Sequence, residues 1–357
     1  MPIIAQREPL RTLTDGLAAS PVLGLDTEFL RERSYRPQLC LIQIASAEAQ
    51  ACIDPLALED LNPLAARLAD ERQTKILHAA GQDLEVLHQQ LGILPTPLFD
   101  TQIAAAMCGL GEQMGYAALV ERLFGIPLDK THSRTDWSRR PLSEEQVRYA
   151  LDDVRYLPEA HARLCDRLRT LGRLDWLEED CAAQLDPARW TPQPLEAWRR
   201  VKGWQRLPSP AFPRLRQLAA WRETRAARLD RPRRWVLDDD ALLALSQRPP
   251  QNLHALLHGN AIPPALKGCA DEIMHAIEAA RQDDTRAPVW TPMSGEVRGR
   301  FERLAETLDH LAGQLELPAG LLINRGELER LARGQSSLDG LRGWRAEVLA
   351  KPLAASL

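Results

Sequence analysis

The spacing of apolar positions over the first 105 residues alternates between strand-like and helix-like periods. The predicted strands are 21–30, 39–46, Gln50–Ile53, Lys75–Ala79 and Leu98–Phe99, and the predicted helices are 56–69 and 82–91. Short links between the first three strands favour an antiparallel meander. Strands that alternate with helices in this way predict a mixed sheet flanked by helices.

Helical periodicity dominates residues 101–185, interrupted by the polar segment DKTHSRTDWSRRPLS (129–143), which we call the polar loop. Ser143 followed by Gln146 three residues later is typical of a capping box, which predicts that a helix begins here. Pro158 lies inside the apolar pattern that follows. Because proline lacks an amide hydrogen, we expect it to kink this helix or to divide it in two.

Prolines break the pattern between residues 187 and 213, and the remaining chain is helical with a weak repeat. The segments LDRPRRWVLDDDALLAL (229–245) and LELPAGLLINRGELERL (315–331) align without a gap at an offset of 86 residues, with Pro232 matched to Pro318. Two copies of one small helical module explain such a repeat.

The distribution of charge changes this picture more than the net charge of −4 does. Between Glu196 and Trp235 there are twelve arginines and lysines but only three acidic residues, a local charge of +9. This stretch, called the basic block below, suits a phosphate backbone. A solvated, arginine-rich linker and helix face explains it equally well.

Six cysteines are scattered along the chain, and none forms a CxxC pair or lies at a zinc-like spacing with histidine. Reduced, buried thiols are therefore expected. No stretch of about 18 apolar residues is present, so we expect no membrane span. The N-terminal segment carries Arg7 and Glu8 and has no apolar signal core, which predicts a cytoplasmic protein.

The segment Asp26-Thr27-Glu28 carries the first candidate chemistry. Residues two apart on a strand point to the same face, so both carboxylates project together while Leu25 and Thr27 point to the core side. Two adjacent like charges are unfavourable unless a cation lies between them, and oxygen ligands suit Mg²⁺ or Mn²⁺. Solvated strand faces also carry such pairs, so this motif by itself does not establish a metal site.

Tyr149 and Asp153 in RYALDDVRYL are four residues apart and therefore lie on one helix face. There the carboxylate can bind a metal ion and the phenol hydroxyl can orient an attacking water. Asp152 is a rival ligand, but it lies about 100° round the helix from Asp153. We therefore interpret Asp152 as a solvated charge.

A fourth carboxylate, Asp83, follows a predicted strand and lies in the first turn of a predicted helix. An acidic residue near a helix N-terminus is also commonplace because of the helix dipole, so this position alone is ambiguous. We interpret Asp100 as a helix N-cap and His78 as a packed histidine at a strand end.

Four carboxylates and one tyrosine in this order resemble the DEDD superfamily of 3′→5′ exonucleases, in the branch with tyrosine in its third motif. The first motif is DTEF, the second contains Asp83, and the third is Tyr149-x-x-x-Asp153. Intervening segments, among them YRPQLCLIQIA (35–45) and HAAGQDLEVL (78–87), resemble the ribonuclease D family. The helical repeat resembles the HRDC module.

The resemblance implies an α/β ribonuclease H-like exonuclease domain, with a mixed sheet flanked by helices, followed by two small all-α HRDC-like domains. The implied boundaries are 1–195 for the exonuclease domain, 196–209 for a basic linker, 210–288 for the first HRDC-like domain and 289–357 for a second, degenerate one.

The resemblance also implies a mechanism. Asp26, Glu28 and Asp153 are expected to hold two divalent ions, Mg²⁺ or Mn²⁺, with Asp83 completing the site directly or through water. Tyr149 is expected to align the attacking water. The implied product is a nucleoside 5′-monophosphate released from a free RNA 3′ end. Precursors of tRNA and other small structured RNAs are the implied substrates, with no membrane and no obligate protein partner indicated.

Residues that contact the substrate are harder to predict. Phe29 is expected either to wedge against the terminal base or to pack in the core. Trp137 is expected to anchor the polar loop rather than to stack on a base. Candidate phosphate contacts are Lys130, His132, Arg134, Arg139 and Arg140 in the polar loop, and Arg231, Arg233 and Arg234 in the basic block.

Two alternatives stay open from the sequence. A DNA 3′→5′ exonuclease of the same superfamily would carry the same carboxylates, because discrimination between the sugars depends on contacts to the 2′-hydroxyl. The tandem helical modules favour the RNA enzyme. A catalytically silent RNA- or helicase-binding adaptor is the second alternative, and the intact carboxylates argue against it. A nucleotide-binding loop is not indicated, because Gly109-x-Gly111-x-x-x-Gly115 has the wrong spacing.

Overall fold

The computed structural model describes residues 3–129, 135–259, 262–287 and 292–357. The chain forms two compact units, each of which is described by itself. The bounds of the first unit are Met1–Phe29, Leu39–Trp190 and Pro292–Leu357, and those of the second are Leu30–Gln38 and Thr191–Thr291.

A six-stranded sheet lies in the first unit, in the order β1-β4-β3-β2-β5-β6. The strands are β1 (Ile3–Ile4), β2 (Val22–Leu30), β3 (Gln38–Ala45), β4 (Gln50–Ile53), β5 (Thr74–Leu77) and β6 (Leu98–Asp100). Strands β3 and β4 run antiparallel, whereas β5 is parallel to β2 and β6. The mixed sheet predicted from the sequence is confirmed. Strand β1 was not predicted, because two residues are too few to show a period.

Helices flank this sheet, as predicted. Up to residue 190 the described α-helices are α1 (Arg7–Gly16), α2 (Asn62–Leu68), α3 (Gly81–Leu91), α4 (Thr101–Met107), α5 (Tyr116–Phe124), α6 (Glu144–Arg155), α7 (Leu157–Leu171) and α8 (Leu174–Gln184), followed by a 3-10 helix (Pro187–Arg189). Helix α2 begins six residues later than the predicted helix 56–69. The side chain of Asp54 explains this late start, because it accepts the Leu56 amide hydrogen and holds a turn there.

Helix α6 begins with the predicted capping box, in which Ser143 and Gln146 exchange hydrogen bonds of 2.7 and 3.2 Å. The helix ends at Arg155, and α7 begins at Leu157 with Pro158 in its first turn. The Tyr116 hydroxyl satisfies backbone groups at this break. It donates to the Asp152 carbonyl oxygen and accepts the Tyr156 amide hydrogen, both at 3.2 Å. Pro158 therefore divides the predicted helix in two.

The second unit is helical and has its own hydrophobic core. Its described elements are 3-10 helices at Pro194–Arg200, Trp204–Arg206, Ser209–Ala211, Pro264–Cys269 and Ala280–Gln282, and α9 (Phe212–Leu229), α10 (Arg233–Val236), α11 (Asp239–Gln247), α12 (Leu253–His258) and α13 (Ala270–Ala279). Residues 196–209 were predicted as a linker, whereas Ala197, Trp198, Val201 and Leu207 of this range are buried in the core. Trp198 is 3% exposed and packs edge-on against Trp204 and Phe212, with ring centroids 4.8 Å apart in both pairs.

The C-terminal helices belong to the first unit. They are α14 (Gly295–Leu315), α15 (Ala319–Leu322), α16 (Arg325–Ala332), a 3-10 helix at Leu338–Gly340, and α17 (Gly343–Ala354). Trp344 stacks on Trp176 of α8 with ring centroids 4.6 Å apart and donates its indole hydrogen to Asp180. The prediction treated 289–357 as a separate domain, whereas its buried residues join the core around the sheet. No helix of the described residues has both the length and the apolar composition needed to span a bilayer.

The predicted repeat is present in the local structure. Helices α10 and α11 begin at the residues that correspond, at an offset of 86, to the first residues of α15 and α16. Helices α9 and α14, which precede the two copies, are each followed by a residue in the left-handed conformation, Asp230 with φ of 47° and Glu316 with φ of 51°. Pro232 and Pro318 then cap the following short helix. The same turn is therefore built twice, once in each unit.

Candidate active site

Three carboxylates from distant parts of the sequence meet beside the sheet. Asp26 and Glu28 come from β2 and Asp153 comes from α6, and each offers an oxygen within 4.8 Å of those of the other two. Strand periodicity places the first two on one face. The convergence predicted from the sequence is therefore present for these three residues.

Gly24 allows α6 and α7 to come close to β2. A Cβ atom at this position would lie 3.0 Å from Leu157 Cβ and 3.1 Å from the Val154 carbonyl oxygen, distances that real Cβ contacts rarely show. The absence of a side chain two residues before Asp26 thus brings the helix that carries Asp153 next to the strand.

Asp83 lies in the first turn of α3 and is 7% exposed. It does not belong to the group of three converging carboxylates, but its charge raises the pKa of both Asp26 and Glu28. Its Oδ1 accepts a hydrogen bond of 2.5 Å from the hydroxyl of Thr27. Asp83 is thus an immediate neighbour of the group, attached to the strand residue between Asp26 and Glu28.

Burial and mutual repulsion make ionisation of these carboxyl groups costly. Burial raises the pKa of Glu28 to about 8, and the charges of Asp153 and Asp83 add to that effect. Burial also raises the pKa of Asp83 to about 7 and that of Asp153 to about 7. The pKa of Asp26 rises well above its usual value for the same reasons. Ionisation of these groups is therefore unfavourable unless a positive charge lies close to them.

This donor set fits a hard divalent cation. Three carboxylates that converge from two elements supply oxygen ligands, which Mg²⁺ and Mn²⁺ prefer. A cation placed there would offset the cost of ionising these carboxyl groups, whose pKa values are raised mainly by burial. Asp26, Glu28 and Asp153 are the residues able to hold it, with Asp83 next to them.

Tyr149 lies on the same face of α6 as Asp153, and its phenol hydrogen-bonds the Asp153 carboxylate. Burial raises the pKa of Tyr149, and the charges of Asp153, Glu28 and Asp26 raise it further. The phenol is therefore protonated at neutral pH. Trp137 is 2% exposed, with its ring centroid 6.2 Å from that of Tyr149, so it anchors its loop by packing, as predicted.

Other polar residues near these motifs have structural partners. Asp152 pairs with Arg155 at 3.7 Å and lies outside the carboxylate group. Asp100 caps α4 by accepting the amide hydrogens of Gln102 and Ile103. Both ring nitrogens of His78 are in hydrogen bonds of 2.9 Å, with the Thr101 hydroxyl and the Met114 carbonyl oxygen.

The structure describes two of the five residues of the polar loop that were predicted to contact phosphate, and both are engaged in ion pairs. Lys130, His132 and Arg134 lie outside the described residues. Arg139 is exposed and pairs with Asp136 at 3.0 Å. Arg140 is not free for phosphate, because it binds the buried Asp54 through two bonds of 2.6 and 2.8 Å. Phe29 is partly buried and packs against the core around the sheet.

The basic block is mostly engaged in ion pairs within the second unit. The paired residues are Arg199, Arg200, Arg216, Arg222, Arg225, Arg228 and Arg233. Arg233 was predicted to contact substrate, but it holds Glu223, which is 2% exposed, through bonds of 2.5 and 2.7 Å. Its partner lies ten residues away and could not be assigned from sequence. Arg231 and Arg234 are exposed and have no ion-pair partner among the described residues.

Sequence reasoning missed one residue of the site, Thr27. Strand alternation placed it on the core side, and it is indeed only 5% exposed. Its hydroxyl nevertheless reaches Asp83. The signal was the polar residue at a buried strand position, because a buried hydroxyl needs a hydrogen-bond partner.

Known proteins resemble this chain over nearly its whole length. A 3′-5′ exonuclease family model matches residues 1–170, and an HRDC domain model matches residues 211–266. The ribonuclease D of Xanthomonas oryzae pv. oryzae is 40% identical over 346 residues, which is 94% of each chain. That of Acidiphilium cryptum is 36% identical over 97% of this chain and 90% of its own.

A solved structure agrees with these sequences. The crystal structure of Escherichia coli RNase D, described as an exoribonuclease involved in structured RNA processing, has a TM-score of 0.87 and 32% identity. The match covers 100% of this chain and 98% of that one. From this agreement in sequence, fold and gathered carboxylates, the chain belongs to the ribonuclease D family and is a 3′→5′ exoribonuclease of the DEDD superfamily.

Proposed function

We propose that this enzyme trims the 3′ ends of tRNA precursors and other small structured RNAs and releases nucleoside 5′-monophosphates. The convergence of Asp26, Glu28 and Asp153 carries the proposal. Hydrolysis of a phosphodiester mainly requires charge neutralisation and positioning, which such a site provides. The involvement of the Escherichia coli relative in structured RNA processing supports the substrate class.

Two divalent ions, Mg²⁺ or Mn²⁺, are the proposed cofactors. Asp26, Glu28 and Asp153 would hold them, with Asp83 completing the site directly or through water. When bound, the ions supply neutralisation of the scissile phosphate and a water of lowered pKa. The raised pKa values of the four carboxyl groups support a site built for positive charge.

The protein itself positions the reactants. Tyr149, on the same face of α6 as Asp153, orients the attacking water by hydrogen bonding. Its bond to Asp153 fixes the phenol beside the carboxylates. Attack on phosphorus breaks the bond to the 3′ oxygen of the preceding nucleotide. The phosphate therefore leaves on the 5′ position of the released nucleotide, and the shortened RNA keeps a 3′-hydroxyl.

The test is metal-dependent release of nucleotides. Purified full-length protein is incubated with a tRNA precursor that carries a 3′ extension, in Mn²⁺, Mg²⁺ or EDTA, and the products are identified by mass spectrometry. We expect nucleoside 5′-monophosphates in either metal and none in EDTA. A DNA strand of matched sequence should be degraded more slowly. Nucleoside 3′-monophosphates, metal-independent release or equal rates on DNA would contradict the proposal.

We also propose that the enzyme acts in the cytoplasm. All six cysteines are buried, and none of them forms a disulfide bond within the described residues. A reducing compartment maintains thiols in that state, which supports this location.

A further inference from the structure

Trp235 is the most exposed large hydrophobic residue of the described chain, with 63% of its surface accessible. It lies at the end of the basic block, on the short helix α10. An indole that stays in water gains nothing from burial, so the packing of the second unit does not explain it. Its neighbours Arg231 and Arg234 are exposed as well.

The turn that carries these residues is anchored by buried side chains and by the bonds of Arg233. Val236 and Leu237 are 5% and 1% exposed. Arg233 binds the buried Glu223, and its guanidinium lies over the ring of Tyr35, 4.6 Å from the centroid. Because successive residues of a helix are about 100° apart, anchoring Arg233 and Val236 directs Arg234 and Trp235 outward. The exposed side chains thus project from a backbone that is anchored through its buried side.

Acidic residues close to the turn are already engaged. Asp230 Oδ1 accepts the amide hydrogens of Tyr35 and Arg36. Asp238 caps α11, and Asp239 binds Arg222 at 2.8 Å. Asp240 is exposed, and its side chain makes no hydrogen bond or ion pair among the described residues. The surface around Trp235 is therefore basic in its available charges.

The second copy of the turn shows that its backbone does not require this surface. At the offset of 86 residues, Arg231, Arg234 and Trp235 correspond to Leu317, Gly320 and Leu321. Leu317 is 5% exposed and Leu321 packs against the core of the first unit. One copy uses these positions for packing, whereas the other leaves an indole and two guanidinium groups in solvent.

We propose that Trp235, Arg231 and Arg234 form a binding site for single-stranded RNA. The indole stacks on an unpaired base, and the two arginines bind the phosphates on either side of it. An aromatic ring between basic residues is the chemistry that holds single strands without regard to sequence. The site rests on the proposed action on RNA and adds to it a place, outside the carboxylates, where the substrate is held.

The test measures RNA binding by the full-length protein. A fluorescein-labelled 12-nucleotide single-stranded RNA is titrated in EDTA, which prevents cleavage, and affinity is read by fluorescence anisotropy. We expect Trp235→Ala to weaken binding about 5- to 100-fold, the loss of one stacked base. Trp235→Phe should restore most of the affinity, because the ring persists. Leu195→Ala, which removes another exposed apolar side chain of this unit, is the control.

The arginines are tested by salt dependence. Arg231→Ala with Arg234→Ala should lower the slope of log Kd against log salt by about 1.4, the value for two phosphate contacts on a single strand. The matched control is Arg248→Ala with Lys267→Ala, which removes two other exposed charges of the same unit. The control should leave the slope unchanged.

Affinity within twofold of the wild type for Trp235→Ala would overturn the site and point to a protein as the occupant of this surface. An equal loss in the Phe variant would overturn stacking. Nucleotide release from saturating RNA should persist in the Leu195→Ala control, whose side chain lies outside the proposed site. Failure of the wild-type enzyme to release nucleotides would contradict the proposed function instead, and would leave the binding result standing.

Discussion

The hydroxyl of Thr27 donates to Oδ1 of Asp83 across 2.5 Å, and this bond joins two of the exonuclease motifs. Asp83 is not among the three carboxylates whose oxygens converge. Thr27 lies on the strand between Asp26 and Glu28. The orientation of Asp83 relative to that group thus depends on a hydroxyl from the first motif.

Loss of this hydroxyl should impair the site without unfolding the protein. We expect Thr27→Val to lower nucleotide release about 10- to 100-fold and to raise the Mn²⁺ concentration required for half-maximal activity, as when a group that orients a metal ligand is lost. Thr27→Ser keeps the hydroxyl and should restore both quantities. Thr14→Val is the control, because Thr14 is also buried but its hydroxyl binds a carbonyl oxygen within α1. If the Val and Ser variants behave alike, the bond has no role in positioning.

Adjacent aspartates on α6 should differ sharply in their effect on catalysis. Asp153→Asn removes one of the three converging carboxylates and should reduce nucleotide release by more than the roughly 10–100-fold typical of an outer-shell change. Asp152→Asn removes a carboxylate that pairs with Arg155 at 3.7 Å and should retain activity. Rates on one RNA, with circular dichroism spectra of both variants, test this. Comparable losses of activity in the two variants would contradict the assignment of Asp153, rather than Asp152, to the site.

Without metal, the stability of the protein should fall as pH rises. The pKa of Glu28 is about 8 and those of Asp83 and Asp153 about 7 in the folded protein, above their usual values of 4.5, 3.8 and 3.8. Between these limits the folded state binds more protons than the unfolded state. The free energy of unfolding therefore declines as pH rises from about 4 to about 8. Saturating Mn²⁺ should reverse much of the decline.

This pH dependence is measured by thermal unfolding in EDTA from pH 5 to pH 8. Glu28→Gln removes one titrating group and should raise Tm at pH 8 on the order of 2–4 °C relative to the wild type. Glu8→Gln changes a carboxyl group whose side chain is 82% exposed and serves as the control. A flat wild-type profile in EDTA would contradict the electrostatic description of the site.

Two neighbouring arginines of α10 should have opposite phenotypes. Arg233→Ala leaves Glu223, which is 2% exposed, with only Arg200 and Tyr35 as partners, and should cost about 3 kcal/mol, the lower end for a broken buried pair. Arg234→Ala alters an exposed side chain and should change stability by less than about 0.5 kcal/mol. Urea denaturation of both variants checks this. Equal stabilities would mean that Arg233 does not hold the turn.

Local periodicity was sufficient to predict strands β2 to β6 and to place the paired residues of the first and third motifs on one face. Asp26 with Glu28, and Tyr149 with Asp153, follow from spacings of two on a strand and four on a helix. The capping box of α6 and the division at Pro158 also depend on neighbouring residues alone. In these places the prediction and the structure agree because the physical cause lies within a few residues.

Long-range partners explain what could not be predicted. Arg140 binds Asp54, which lies 86 residues earlier in the chain, and so its charge is used within the fold. Thr27 finds Asp83 56 residues later. Trp198 is buried in a core, although it lies in a segment that was predicted to be a linker. In each case a side chain was assigned from its own neighbourhood, whereas its role is set by a segment that the sequence does not place next to it.

The two copies of the turn differ in how well they should tolerate substitution, because one faces solvent and the other packs in a core. Replacing Arg231, Arg234 or Trp235 alters groups that the core does not use. Replacing Leu317 or Leu321 disturbs packing within the core of the first unit. Attempts to retarget the enzyme to other RNAs should therefore begin with the solvent-facing copy, where recognition can be redesigned with little loss of fold stability.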